Sequence, residues 1–291
     1  MSVGRARAVL LAMRPKTLTA GIAPVVLGTA VAHAHGGVHL GAAAACLVGA
    51  LGIQIGTNLF NDYEDFRRGA DTEERLGPRR ATQQGWLTPG TVKSVALAAF
   101  GVAFAAGLYL VSVAGWPIVA IGALSLLSGW LYTGGPYPLA YLGVADLFVF
   151  VFFGLVAVAG TTYAQTGGWP TDALLCGAGI GALSTAILVV NNLRDRHTDA
   201  KAGKRTLAVR FGPAFARVEY AAWMALAFAV PVIAAARGQV AWLFALGALP
   251  LALRELWGVY RTDGAELNAR LAGTARATLC YGILLAVGVV S

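Results

Sequence analysis

The stretch Asn58–Asp71, NLFNDYEDFRRGAD, ends a long apolar run in a burst of carboxylates. The 291-residue chain has only 14 acidic residues, and six of them, Asp62, Glu64, Asp65, Asp71, Glu73 and Glu74, fall between Asp62 and Glu74. A simpler version follows far downstream as Asn191–Asp199, NNLRDRHTD, again at the end of an apolar run. Asn61, Asp65 and Asp71 stand out in the first motif. In the second, Asn191, Asp195 and Asp199 recur every four residues, which stacks them on one face if the helix continues. Several carboxylates brought together need a counter-charge, since two of them about 4 Å apart repel by roughly 4 kcal/mol at an effective dielectric of 20. Mg²⁺ suits such a site, because it prefers oxygen ligands and is usually held by a few carboxylates plus substrate phosphates. Basic groups suited to phosphate oxygens flank both motifs: Arg14 and Lys16 before the first apolar run, Arg79 and Arg80 after the first motif, Lys204 and Arg205 after the second. The chemistry expected of these residues is metal-assisted handling of a diphosphate.

The elements that must position them are membrane helices. The chain is 57% hydrophobic and 12% charged, with a mean hydropathy of +0.67. Stretches of roughly 20 apolar residues, the length of a transmembrane helix, recur along it. The alternating pattern of an outer-membrane barrel is absent, so an all-α polytopic transmembrane bundle is expected. We place nine spans, at about 17–34, 41–60, 93–113, 116–133, 142–163, 172–191, 215–236, 239–256 and 273–290. Of 22 Lys and Arg residues, only Arg237 falls in a connection on the side opposite the N-terminus. By the positive-inside bias this puts the N-terminus and both acidic segments in the cytoplasm and the C-terminus outside. The whole chain, 1–291, reads as one transmembrane domain with cytoplasmic cap loops at about 61–92 and 192–214.

Other features favour ordinary readings. The net charge of +8 reflects loop cations of a membrane protein, not a nucleic-acid partner. Cys46, Cys176 and Cys280 lie in apolar segments and read as packing residues. Arg5, Arg7 and the following apolar run resemble a signal peptide, but Arg14, Pro15 and Lys16 directly precede the main run, which reads as an uncleaved first helix. Glu64, Glu73, Glu74, Arg67 and Arg68 read as solvated surface, and His33, His35 and His39 as an outer loop. Asp146 is either an intramembrane functional acid or a cap for the fifth span. Phe148, Phe150, Phe152 and Phe153 read as lipid-facing or packing residues in preference to a carbocation cage. The recurrence of Asn-x-x-x-Asp four spans apart hints at duplication of a four-helix unit.

At these motifs the chain resembles the UbiA superfamily of intramembrane aromatic prenyltransferases, and most closely its menaquinone-pathway branch acting on 1,4-dihydroxy-2-naphthoate. The similarity runs in order through RPKTLTAGIAPVVLGTA (14–30), NDYEDFRRGAD (61–71), LGPRRATQQGWLTP (76–89), YTGGPYPLAYLGVAD (132–146), FFG (152–154), NNLRDRHTDAKAGKRTLAVRFG (191–212) and LNARLAGTAR (267–276). The Gly-Lys-Arg-Thr sequel at 203–206 and the loop at 132–146 point to the naphthoate branch. The resemblance implies that Asn61, Asp65, Asp71, Asn191, Asp195 and Asp199 hold Mg²⁺ and the diphosphate. Asp65 and Asp195 would be catalytic, and Asp62, Arg14, Lys16, Arg79, Arg80, Lys204 and Arg205 would face the substrate. Related 4-hydroxybenzoate enzymes carry a Lys-Arg pair after the fourth helix, where this chain has GGPYPLAY (134–141) with no basic residue.

The implied reaction joins a polyprenyl diphosphate to an aromatic acceptor, with loss of diphosphate, CO₂ and a proton to give demethylmenaquinol. The competing expectations are another acceptor, such as 4-hydroxybenzoate or a porphyrin-type ring, and a repeat-built transporter. A transporter predicts charged or broken segments near mid-bilayer, whereas the spans here are nearly free of ionisable groups away from their cytoplasmic ends.

Overall fold

The computed structural model describes residues 4–69, 75–135 and 138–291, and among them every regular element is helical. A short helix α1 (Arg5–Ala12) leads through a single 3₁₀ turn, Pro15–Thr17, into α2 (Thr19–Ala34). Then come α3 (Leu40–Arg67), α4 (Pro89–Ala114), α5 (Pro117–Leu131), α6 (Ala145–Thr166), α7 (Thr171–Lys201), α8 (Leu207–Ala236), α9 (Val240–Arg261) and α10 (Leu267–Val290). Each of the nine apolar segments read from the sequence is helical. Seven are long and apolar enough to cross a membrane, while α2 and α5 are shorter apolar helices. At 1.5 Å per residue α2 and α5 reach about 24 and 22 Å, less than the roughly 30 Å hydrocarbon core.

Local chemistry sets the ends. Pro89 and Pro117 occupy the first turns of α4 and α5, where a missing N–H costs nothing. Thr88 and Thr206 accept the N–H groups of Thr91 and Val209. His39 caps α3 by accepting from Ala42 N at 3.0 Å, and His35 lies 3.0 Å from Asp172, so these histidines tie helix ends at the end of the bundle away from the acidic motifs. Asp146 sits inside the first turn of α6, not at its cap. Both of its carboxyl oxygens are buried without a hydrogen-bond partner.

Two boundaries matter for function. The segment expected to end near residue 60 continues as helix to Arg67, and the one expected to end near 191 continues to Lys201. The first acidic motif is therefore helical as far as Arg67, and the second throughout, where the cap loops were expected to begin. The last helix likewise starts at Leu267, ahead of the expected 273.

Helix α7 is the central post. Its apolar window is 72% buried within the bundle, against 17% for α3 and for α4. It packs against α2, α6, α8 and α10. Its approach to α6 depends on small residues: Gly177 and Gly181 meet Gly154, which lies in a π-helical segment, Phe150–Val156. A Cβ on Gly154 would fall 2.4 Å from the Gly177 carbonyl oxygen, and one on Gly181 2.7 Å from that of Phe150. Backbone approach of this kind needs small residues at the crossing. Gly154→Val should therefore cost at least about 1–3 kcal/mol through overpacking. The expected result is a melting temperature in detergent several degrees below wild type, while Gly101→Val, whose added Cβ meets nothing within 4 Å, melts as wild type.

Candidate active site

The last two turns of α3 carry the first acidic motif into the bundle's mouth. Asp65 is 2% exposed. Arg80 Nη2 donates to its Oδ2 at 2.9 Å, and Lys204 Nζ lies 3.3 Å from its Oδ1. Tyr141 OH reaches the same carboxylate at 3.5 Å. Burial, and then the Asp65 charge, push the Tyr141 phenol above its ordinary value, so it stays a proton donor. Asn61 accepts from the Thr133 hydroxyl through Oδ1. One turn earlier, Asn58 Nδ2 donates to Met13 O and Thr17 Oγ1, both at 3.1 Å, and so holds the segment around Arg14 over the site. Arg14 itself adopts the left-handed conformation (φ 54), the only non-glycine residue with positive φ among those described.

The second motif is held by Arg194, which is 1% exposed. Its guanidinium forks onto Asp195, with Nε to Oδ1 at 2.8 Å and Nη2 to Oδ2 at 2.5 Å. Nη2 also donates to Asn191 Oδ1 at 2.8 Å, and Nη1 to Asn268 Oδ1 on α10 at 2.9 Å. Lys204 Nζ stands 3.7 Å from Asp199, so one ammonium group bridges the two motifs.

One cavity of about 1380 Å³ joins these groups. Asn61, Asp65, Asn191, Asp195, Asp199, Arg14, Arg80 and Lys204 line it at the mouth. Below them the walls become apolar, and the chamber continues to Cys46, Leu110 and Ile118. Along α3, from Asp65 to Cys46, that is a depth of about 28 Å at 1.5 Å per residue.

The remaining expected site residues are placed otherwise. Asp62 does not line the cavity. Its carboxylate accepts from Ala81 N at 2.9 Å, from Thr82 N at 3.4 Å and from the Thr82 hydroxyl, so it pins the turn that delivers Arg80. Arg79 and Arg205 are exposed and outside the cavity lining. Asp71 and the side chain of Lys16 lie outside the described residues. Sequence reasoning missed the roles of Arg194 and Asn268: Arg194 reads as one more loop cation until the helix is known to continue past it.

Among the described residues, no three His, Cys, Asp or Glu side chains form a metal cage of their own. The oxygens of Asp65, Asp195, Asp199, Asn61 and Asn191 are hard donors facing one space, with Arg80, Lys204 and Arg194 around them. That donor set fits a divalent ion completing its shell with phosphate oxygens and water, as Mg²⁺ does.

A helical membrane bundle with a charged mouth over a deep apolar chamber is the architecture of an enzyme that handles amphiphilic anions inside the bilayer. The model of the UbiA prenyltransferase family matches residues 21–280. A Mycobacterium tuberculosis relative, 1,4-dihydroxy-2-naphthoate octaprenyltransferase, is 41% identical over 94% of this chain and 93% of its own length. The Bacillus subtilis protein of the same name is 35% identical over 94% and 89%. Among solved structures, a UbiA homolog from Aeropyrum pernix K1 superposes with a TM-score of 0.68 at 16% identity, covering 94% of this chain and 96% of its own. One from Archaeoglobus fulgidus bound to DMAPP and Mg²⁺ gives 0.63 at 15%, covering 96% and 99%. The chain therefore belongs to the UbiA prenyltransferase family and is an integral membrane protein.

Two outcomes follow from the geometry. Asp65→Ala and Asp195→Ala should each lower prenyl transfer by about 10²-fold or more, with normal yield of folded protein, as measured by turnover of the purified variants. Arg194→Ala leaves Asp195 buried and unpaired, which costs about 3–5 kcal/mol when one partner of a buried pair is removed. Its melting temperature in detergent should fall several degrees below that of wild type.

Proposed function

We propose that the protein transfers a polyprenyl group from polyprenyl diphosphate to 1,4-dihydroxy-2-naphthoate. Diphosphate and CO₂ are released and demethylmenaquinol is formed. The observation that carries this reading is the single cavity: a mouth of paired carboxylates and cations, Asp65 with Lys204 and Arg80, opens directly onto a chamber about 28 Å deep. A diphosphate fits the first part and a long hydrocarbon tail the second. The names of the mycobacterial and Bacillus relatives support the naphthoate acceptor. The DMAPP and Mg²⁺ bound to the Archaeoglobus homolog support the donor and the metal.

In this reading Asp65, Asp195 and Asp199, with Asn61 and Asn191, hold Mg²⁺, which when bound withdraws charge from the diphosphate and makes it a better leaving group. Arg14, Arg80 and Lys204 face the phosphate oxygens, and their fixed positive charge meets the negative charge that develops as the allylic C–O bond breaks. The C–O electron pair leaves with the diphosphate. The apolar walls around Phe148, Phe152 and Phe153 exclude water from the allylic carbon until the electron-rich ring attacks it. The carboxylate then leaves as CO₂, and the electron pair of the broken C–C bond returns to the ring and restores aromaticity. Tyr141, kept protonated beside Asp65, holds that carboxylate in place.

We further propose nine membrane crossings in the cell membrane, α2 and α5 included, with the N-terminus and the catalytic mouth in the cytoplasm and the C-terminus outside. The positive-inside distribution of Lys and Arg supports this orientation. The test uses purified protein in detergent with 1,4-dihydroxy-2-naphthoate, octaprenyl diphosphate, and either Mg²⁺ or EDTA. Prenylated product and CO₂ should both appear with Mg²⁺ and both vanish with EDTA. Prenylation of 4-hydroxybenzoate in preference to the naphthoate would overturn the acceptor, and transfer unaffected by EDTA would overturn the metal.

A further inference from the structure

The wall of the chamber formed by α9 and α10 carries charge that the mouth does not explain. Arg254 and Arg276 both line the cavity and are accessible within it. Neither makes a hydrogen bond or an ion pair among the described residues. Between them lies a paired set: Arg270 Nη1 is 3.1 Å from Glu255 Oε2, and Glu255 is 4% exposed. Glu255 is the one carboxylate lining the chamber beyond those of the mouth, so the wall has three guanidinium groups against a single acid. The helices are closely fitted around this pair. A Cβ on Gly273 would lie 2.1 Å from the Glu255 carboxyl carbon, and one on Gly258 2.4 Å from Arg270 Cδ. This meshing fixes the height of α9 against α10. Arg254, adjacent to Glu255, and Arg276, three residues beyond Gly273, therefore lie within about one 5.4 Å helical turn of each other in height along the bundle.

Their depth is set independently. Asn268 on α10 bonds Arg194, so it marks the level of Asp195. Arg276 lies eight residues further along the helix, about 12 Å deeper at 1.5 Å per residue. Long helical side chains lean toward the N-terminus, which here brings the guanidinium back up toward the reacting end. An arginine placed inside a membrane bundle without a partner is costly, and such residues face a cavity and mark a substrate path. At the mouth Arg80, Arg194 and Lys204 are engaged with Asp65, Asp195 and Asp199. The segment 134–141 offers no basic residue.

We infer that Arg254 and Arg276 form a second anion subsite, below the diphosphate, that binds the carboxylate of the aromatic acceptor. The inference rests on the naphthoate reading above. A guanidinium fork matches a planar carboxylate in two parallel hydrogen bonds. Held this way, the ring lies between the chamber wall and the allylic carbon beneath the diphosphate. Once the carboxyl group has left as CO₂, the product carries no anion for this wall to hold.

The test compares wild type with Arg276→Gln, Arg254→Gln and Arg276→Lys in detergent. It reads KM and kcat for 1,4-dihydroxy-2-naphthoate and for octaprenyl diphosphate, and naphthoate binding by calorimetry. Loss of a charge-assisted hydrogen bond of about 1.5–3 kcal/mol should raise the naphthoate KM and Kd at least about tenfold. The octaprenyl diphosphate KM should stay unchanged, which also shows that the variants are folded. Arg276→Lys should recover part of the binding, and 1,4-naphthalenediol, which lacks the carboxyl group, should bind variants and wild type alike. Unchanged naphthoate KM and Kd in both Gln variants would overturn the inference and leave the naphthoate reading standing. So would loss of activity restored by phosphatidylglycerol vesicles, which would identify a lipid phosphate as the occupant. Wild type that binds naphthoate through these arginines without prenylating it would instead keep the subsite and overturn the reaction.

Discussion

Carboxylates can be gathered at the end of an apolar bundle only if cations come with them, and the mouth of this protein is built on that constraint. Asp65 and Asp195 are each nearly buried, and each faces a guanidinium at hydrogen-bonding distance. Lys204 stands between Asp65 and Asp199. The cations come from separate places in the chain: Arg80 from the segment before α4, Lys204 from the turn before α8, Arg194 from within α7 itself. Replacing a buried ion pair with apolar groups is often neutral or stabilising, whereas removing one partner is expensive. What these pairs provide is thus location. They draw two connecting segments over the ends of α3 and α7 and hold the oxygen donors of both motifs around one space.

A second set of polar residues makes that location reproducible. Asp62 has the sequence signature of a site residue, yet its carboxylate is occupied by the backbone of Ala81 and Thr82. It fixes the turn on which Arg80 is carried, much as Asn58 fixes the turn that precedes α2. The acidic burst in the first motif therefore has two uses. Asp65 faces the cavity, and Asp62, three residues earlier on the helix, faces the loop that completes it. A run of adjacent acids in sequence does not distinguish these uses, because the distinction depends on which side of α3 is covered by a segment twenty residues away.

This explains what was legible in the sequence. Hydropathy alone located all nine apolar helices, since burial in lipid imposes a composition that no loop shares. The two motifs were legible because the four-residue spacing in NNLRDRHTD has a meaning on a helix. Less legible was where the helices stop. Polar residues at 61–67 and 192–201 look like loop in composition, and they remain helical because the opposite motif and the intervening cations satisfy their charges. Arg194 was unreadable for the same reason: its neighbours in sequence are charged, but its neighbours in space are Asn191, Asp195 and Asn268. Arg79 and Arg80 are indistinguishable in sequence, and only the Asp62 turn selects Arg80 for the interior.

Asn268 extends the constraint from the mouth to the far wall of the chamber. Its Oδ1 takes a hydrogen bond from Arg194 and its Nδ2 donates to Leu76 O at 2.8 Å, so α10 is registered simultaneously to α7 and to the segment between α3 and α4. About half a turn further on, Arg270 pairs with Glu255 and locks α10 to α9, with Gly273 and Gly258 leaving room for no other side chain. A slip of α10 by one turn, about 5.4 Å, would break both connections at once, taking Asn268 from Arg194 and leaving Glu255 buried without its partner. The wall that bears Arg276 cannot drift relative to Asp195 by small increments. Its distance below the charged mouth is a fixed property of the fold, and a fixed distance is what the proposed two-substrate reaction inside one chamber requires.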